Sequence, residues 1–233
     1  MKGAAWVNSL KILVRYACAN TSKPAQRRNE HIMYYLAHAF AWIISFPAFL
    51  LWRLAGWKIE GDIESAKKLD KYVAVGAPHT TNWDYIVFLA LSAQTRRQYR
   101  YFIKQEALKG PLRYFMRWTG AVPIDRSQSH NFVDAAAAAI KNERRIVIAL
   151  TPEGTRKRTE YWRSGFYYIA LKAEVPLVLF CVNYPQKRLY VSEPFTPTGD
   201  AETDMAYIRE FYEQNGMGKF PHQAGEIRFR PQA

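Results

Sequence analysis

VAVGAPHTTNWD, residues Val73 to Asp84, is the stretch whose reading decides the fold. Tyr72–Ala77 is short, apolar and β-branched, with turn residues on either side, and reads as a buried strand. Pro78 ends regular pairing and disfavours helix at Ala77. Asn82 or Thr81 can then cap a helix that runs through Trp83 and Asp84 into IVFLALSA. His79 and Asp84 therefore flank a strand-to-helix corner. On one continuous helix, five residues turn about 500° and leave the two side chains roughly 140° apart. They can meet only if His79 sits in the loop and Asp84 reaches back from the first helical turn. A carboxylate on one imidazole nitrogen would then fix the tautomer and free the other nitrogen as a general base.

The pair needs context, because a chain of this composition supplies about 0.15 His-x4-Asp spacings by chance. The chain has 233 residues, enough for one domain with a full core. Its apolar content of 49% excludes disorder as the main state. A formal charge of +13 with 15% aromatics points to an anionic partner, either nucleic acid or an anionic membrane face. The basic residues are scattered and no nucleic-acid-binding motif is present, so no nucleic-acid partner is expected. Cys18 and Cys181 suggest neither a disulfide framework nor a metal cluster, and Cys181, inside VPLVLFCV, reads as a buried small hydrophobe. The remaining histidines, His31, His38, His130 and His222, lack metal-ligand spacing. No secretory signal is evident, since Lys11 and Arg15 break the first apolar run.

Residues 1–30 are basic, with Lys2, Lys11, Arg15, Lys23, Arg27 and Arg28 against Glu30. Ile32 to Trp52 then carries no Asp, Glu, Lys or Arg, a length that can span a bilayer, and it contains aromatics of the kind that favour the membrane interface. Basic residues follow it as well as precede it, so the positive-inside rule assigns no polarity. A segment basic on both flanks is expected to lie in, or dip into, one leaflet, with a true span as the alternative. Residues 1–57 are accordingly read as a membrane-associating helical segment and 58–233 as the α/β domain.

Further along, Asp62–Lys71 reads as a polar connection, Tyr99–Lys104 as a strand, and Glu106–Thr119 as a basic amphipathic stretch whose helix Gly110-Pro111 either interrupts or starts. Ala121–Ile124 is a short strand leading to Asp125-Arg126, and the five consecutive alanines of Asn131–Asn142 call for a closely packed helix. Arg145–Leu150 is a strand opening onto Thr151-Pro152-Glu153-Gly154-Thr155-Arg156. Ser164–Ala173 reads as helix, Val175–Val182 and Arg188–Ser192 as strands, Asp200–Glu213 as a helix ended by Gly216, and Glu226–Arg230 as a last strand. This alternation predicts one α/β domain with a central, mostly parallel or mixed sheet flanked by helices. Ligands bind beyond the carboxyl ends of such strands, where His79, Lys104, Arg126 and Glu153–Arg156 can converge.

HTTNWD, together with FIKQEALKGPLRYFMRWTGAVPIDR, TPEGTRKR and VPLVLF in that order, resembles the four blocks of the glycerophospholipid (lysophosphatidic-acid type) acyltransferases, the HX4D family. The resemblance runs from about Val73 to Val182. It implies transfer of a fatty acyl group from a thioester donor, acyl-CoA or acyl-carrier protein, to the hydroxyl of a lysophospholipid or glycerol-phosphate-like acceptor. By that likeness His79 is the general base and Asp84 orients it. Arg126 and Arg156 would grip the acceptor's phosphate, with Lys104 as a further cation. Glu153, Gly154 and Thr155 would complete the acceptor side, Glu153 holding an arginine or a glycerol hydroxyl and Gly154 allowing close backbone approach. No bound cofactor or metal is implied, the acyl thioester being a cosubstrate. A place on the cytoplasmic face of the membrane follows from such a donor. Family members often have Asn before the His and Ser two after it, where this chain has Pro78 and Thr81. They often have Phe and Ser where it has Thr151 and Lys157. These departures leave the proton-transfer pair intact and fall around the head group. The alternative is a non-catalytic protein that binds anionic lipid on the same fold.

Overall fold

A computed structural model describes residues 39, 42–43, 45–104, 112–124 and 132–229. Its backbone is a single α/β domain around a seven-stranded mixed sheet. A helix over residues 45–54 (α1) leads into β1 (Lys58–Gly61), α2 (Ile63–Lys68) and β2 (Lys71–Ala77). There follow α3 (Asp84–Thr95), β3 (Tyr99–Lys104), α4 (Leu112–Trp118), β4 (Ala121–Ile124) and α5 (Phe132–Asn142). The chain continues through β5 (Ile146–Leu150), α6 (Gly165–Ala173), β6 (Leu177–Asn183), β7 (Arg188–Val191) and α7 (Ala201–Asn215).

The strand order is β1-β7-β6-β2-β5-β3-β4. Strands β6, β2, β5, β3 and β4 run parallel to their neighbours, and β7 turns back antiparallel on β6 with β1 parallel to it at the edge. β2 thus has β5 on one side and β6 on the other, all pointing the same way. Alternation along β2 feeds two cores, as the pleat requires. Val73, Val75 and Ala77 pack with α5, α6 and α7, while Tyr72 and Ala74 pack on the other face with α3 and Trp52 of α1. Burial on both faces explains why β2, β5 and β6 read as near-continuous apolar runs. Each fully buried Val or Leu contributes about 1.5–3 kcal/mol. Ala136, Ala137 and Ala139 are buried where α5 packs against α6, as the alanine run predicts.

The structure departs from expectation in three places. The supposed connection after Asp62 contains α2, capped by the Asp62 side chain accepting the Ser65 N–H at 3.0 Å, and it is preceded by the edge strand β1. Gly61, at φ +91°, lets β1 close on β7, for a Cβ there would stand 2.1 Å from the Val191 carbonyl oxygen. The last strand does not form: within 226–229, only Phe229 makes an isolated bridge, to Trp162. Neither Thr81 nor Asn82 caps α3. Trp83 occupies that position without a side-chain cap bond. The first part of the segment expected from Glu106, Arg126, Cys18, His31, His38, His130 and residues 32–38, 40–41 and 44 of the uncharged stretch lie outside the described residues. Among the described residues no helix is long and apolar enough to cross a membrane. On α1 and the residues before it, Ile43, Phe46, Leu50, Leu51 and Leu54 are exposed along one stripe, while Ala48 and Trp52 are buried.

Candidate active site

Because β2, β5 and β6 are parallel neighbours, their carboxyl ends open on one edge of the sheet. β2 delivers His79, β5 delivers Glu153, and β6 delivers Tyr184. Asp84, first residue of α3, reaches back over the corner. Its Oδ2 stands 2.9 Å from His79 Nδ1 and also accepts the Thr80 and Thr81 N–H groups, each at 3.0 Å. The carboxylate therefore shapes the loop as well as facing the ring. This inverts ordinary capping, with the acid inside the helix and the orphan amides in the loop before it. The geometry demanded of the five-residue spacing is met.

With Nδ1 donating to a carboxylate, His79 keeps Nε2 as a free acceptor. That tautomer is assigned from the hydrogen-bond network. The His79 side chain is 27% exposed and that of Asp84 9%, so the imidazole opens outward while its partner is shielded. The second carboxylate oxygen, Asp84 Oδ1, accepts the Tyr184 hydroxyl at 2.6 Å. Burial and the adjacent carboxylate hold the Tyr184 proton on, well above a phenol's usual range.

Glu153 is 4% exposed, and its two carboxylate oxygens accept the backbone N–H of His79 at 3.1 and 3.2 Å. Burial pushes its carboxyl up to about 7 despite that bond. Among the described residues its partner is the backbone of His79, a contact that sequence reasoning did not anticipate. Gly154 adopts φ +64°, and a Cβ there would stand 2.8 Å from Arg163 Nε, so glycine fits both the turn and the overlying arginine. Thr155 is exposed, its hydroxyl accepting the Lys157 N–H at 3.3 Å. Arg156 is exposed too. Its backbone is joined to the His79 corner by Gln223: with the amide assigned from the hydrogen-bond network so that its nitrogen faces two carbonyls, it donates to Thr80 O at 3.0 Å and Arg156 O at 2.8 Å. Lys104 ends β3 on the same edge of the sheet.

Sequence reasoning missed Tyr184, Gln223 and Thr80. Thr80 Oγ1 accepts the Phe220 N–H at 3.3 Å, and Gly218 passes so close that a Cβ would meet that oxygen at 2.7 Å. The segment after α7 thereby walls the corner. Tyr184 alone had a usable signal, its place one residue beyond a buried strand. Among the described residues no group of three His, Cys, Asp or Glu is placed to hold a metal ion. Cys181 is buried and free, and burial raises its thiol well above the usual range.

A sequence model of a family described as Acyltransferase matches residues 61–183, which include every described element from α2 to β6. Among solved structures, the chain is similar to the crystal structure of the 1-acyl-sn-glycerophosphate (LPA) acyltransferase PlsC from Thermotoga maritima. The TM-score is 0.52 at 16% identity, over 88% of this chain and 85% of that one. No curated protein sequence matches significantly.

Proposed function

We propose that this chain, which belongs to the acyltransferase family, moves a fatty acyl group from a thioester donor to the hydroxyl of a lysophospholipid or glycerol-phosphate-like acceptor. The observation that carries the mechanism is the 2.9 Å contact between His79 Nδ1 and Asp84 Oδ2 at the open end of the sheet. His79 Nε2 takes the proton of the acceptor hydroxyl as that oxygen attacks the thioester carbonyl. The resulting tetrahedral centre collapses with loss of the thiolate, which receives the proton from the imidazolium. Asp84 keeps the ring in the working tautomer and stabilises its transient charge, the part an acid plays beside histidine in hydrolytic triads, with no acyl-enzyme formed.

In this reading Glu153 acts through the backbone, fixing the His79 amide and with it the height of the ring. Arg156, Arg126 and Lys104 supply the cations for an anionic head group, with Gly154 and Thr155 shaping that side. The acyl donor is acyl-CoA or acyl-carrier protein, which sets the enzyme on the cytoplasmic face of the membrane. The exposed apolar stripe on α1 supports attachment by one leaflet, with residues 1–57 as the attaching segment and 58–233 as the catalytic unit. Purified protein incubated with labelled acyl-CoA, acyl-carrier-protein thioester and a lysolipid panel, with products identified by mass spectrometry, tests the proposal. A diacyl product carrying the label supports it. Hydrolysis of the thioester to free acid alone, with every acceptor present, would refute it.

A further inference from the structure

The Asp84 carboxylate has two oxygens and two different kinds of partner. Oδ2 serves His79 and the two loop amides, all within five residues. Oδ1 is held by one group from a distant part of the chain, the Tyr184 hydroxyl at 2.6 Å. A short hydrogen bond to an ionised acceptor is among the stronger and more directional contacts available to a tyrosine. It holds the carboxylate by the oxygen that the loop does not reach, and so adds to the hold on Oδ2 a second anchor against rotation about the Cβ–Cγ bond.

Tyr184 is itself held from two sides. Its backbone N–H donates to the Met217 carbonyl at 2.9 Å. Its ring meets Trp57 edge-on, with centroids 5.2 Å apart and planes at 89°. Trp57 is the near end of an aromatic ladder: Trp57 on Trp52 at 6.1 Å, Trp52 on Phe49 at 6.3 Å, Phe49 on Phe46 at 6.2 Å. Phe46 belongs to the exposed stripe of α1. A row of touching rings therefore joins the outer face of α1 to the acid that orients His79. Lys187, on the turn after Tyr184, closes the same junction, with its Nζ donating to the Ala55 carbonyl at 3.0 Å.

We propose that Tyr184 is a positioning residue of the site, which locks Asp84 in register for His79 and is itself seated by the aromatic ladder from α1 through Trp57. The hydroxyl sets the carboxylate, and the seating of α1 sets the hydroxyl. A lipid surface that orders α1 thereby steadies the proton-transfer pair. This rests on the acyl-transfer reading of the site.

The test uses the full chain with its acyl donor and lysolipid acceptor. Tyr184→Phe keeps the ring against Trp57 and removes only the hydroxyl, so both KM values stay within twofold of wild type and the protein stays folded at the assay temperature, its melting temperature falling by about 2–4 °C per kcal/mol lost. Loss of one hydrogen bond to a charged group lowers kcat about tenfold. Trp57→Leu lowers kcat in the wild-type background and changes it by less than twofold when added to Tyr184→Phe, since the hydroxyl it seats is already gone. An unchanged kcat in Tyr184→Phe, or a drop that appears only in KM, would overturn the positioning role. Effects of Trp57→Leu that multiply in full with those of Tyr184→Phe would overturn the link to α1. A wild-type chain that transfers no acyl group would instead overturn the acyl-transfer reading on which the inference stands.

Discussion

Replacing Glu153 by Gln should make the protein more stable at neutral pH and a poorer catalyst. The carboxyl is buried against the His79 amide, and burial raises it from 4.5 to about 7. Between those values the folded state holds a proton that the unfolded chain has released. Stability contributed by this group is therefore full below about pH 4.5 and is lost as pH rises through about 7. Each pH unit in the window is worth about 1.4 kcal/mol, so it carries roughly 3 kcal/mol in all. Gln has nearly the shape of the protonated acid, offers one oxygen to the His79 N–H, and does not titrate. Urea unfolding of the wild type and Glu153→Gln from pH 4.5 to 8 measures the difference, and other titrating groups cancel between the two curves. The variant should match the wild type near pH 4.5 and exceed it by about 3 kcal/mol near pH 8. Its kcat should nonetheless fall about tenfold, because one neutral acceptor holds the loop less firmly than a carboxylate does. Parallel curves, with no divergence across the window, would refute the claim that burial raises this carboxyl. A fully active variant would refute its role in holding His79.

Asp84→Asn keeps an oxygen for the Thr80 and Thr81 amides and removes the charge beside the imidazole. At about 4 Å between charge centres and an effective dielectric constant of about 20, that charge is worth about 4 kcal/mol to the imidazolium, so kcat should drop about 10³-fold with KM nearly unchanged. Leu51 and Leu54 are 65% and 76% exposed on α1, and changing both to Glu should leave the fold intact by circular dichroism. Sedimentation with anionic vesicles should show binding weakened at least about 100-fold, because each leucine buried in the interface is worth about 1.5–3 kcal/mol.

Much of this fold is written in local runs. β2, β5 and β6 are β-branched and apolar because both faces are covered, and their ends are marked by Pro78, by Thr151-Pro152 and by Tyr184-Pro185. That punctuation was enough to place His79 and Glu153 at one edge of the sheet. β1 and α2 escaped notice for a physical reason: four residues with two charges and barely two turns of helix hold too few residues to show a period. The alternation of Glu226–Phe229 is real but has no strand beside it to pair with over its length. Tyr184 illustrates the deeper limit. Its contact with Asp84 spans 100 residues and depends on β6 lying beside β2, which is a property of sheet order that no local pattern carries. Likewise the residue type at Glu153 is legible, but its inward turn to the His79 amide is set by packing around it.

His79→Ala, assayed for transfer of a labelled acyl group from thioester to lysolipid, tests the central claim most directly. The variant should yield no diacyl product above the uncatalysed background while still sedimenting with anionic vesicles like the wild type. Transfer at the wild-type rate would contradict the assignment of His79 as the general base.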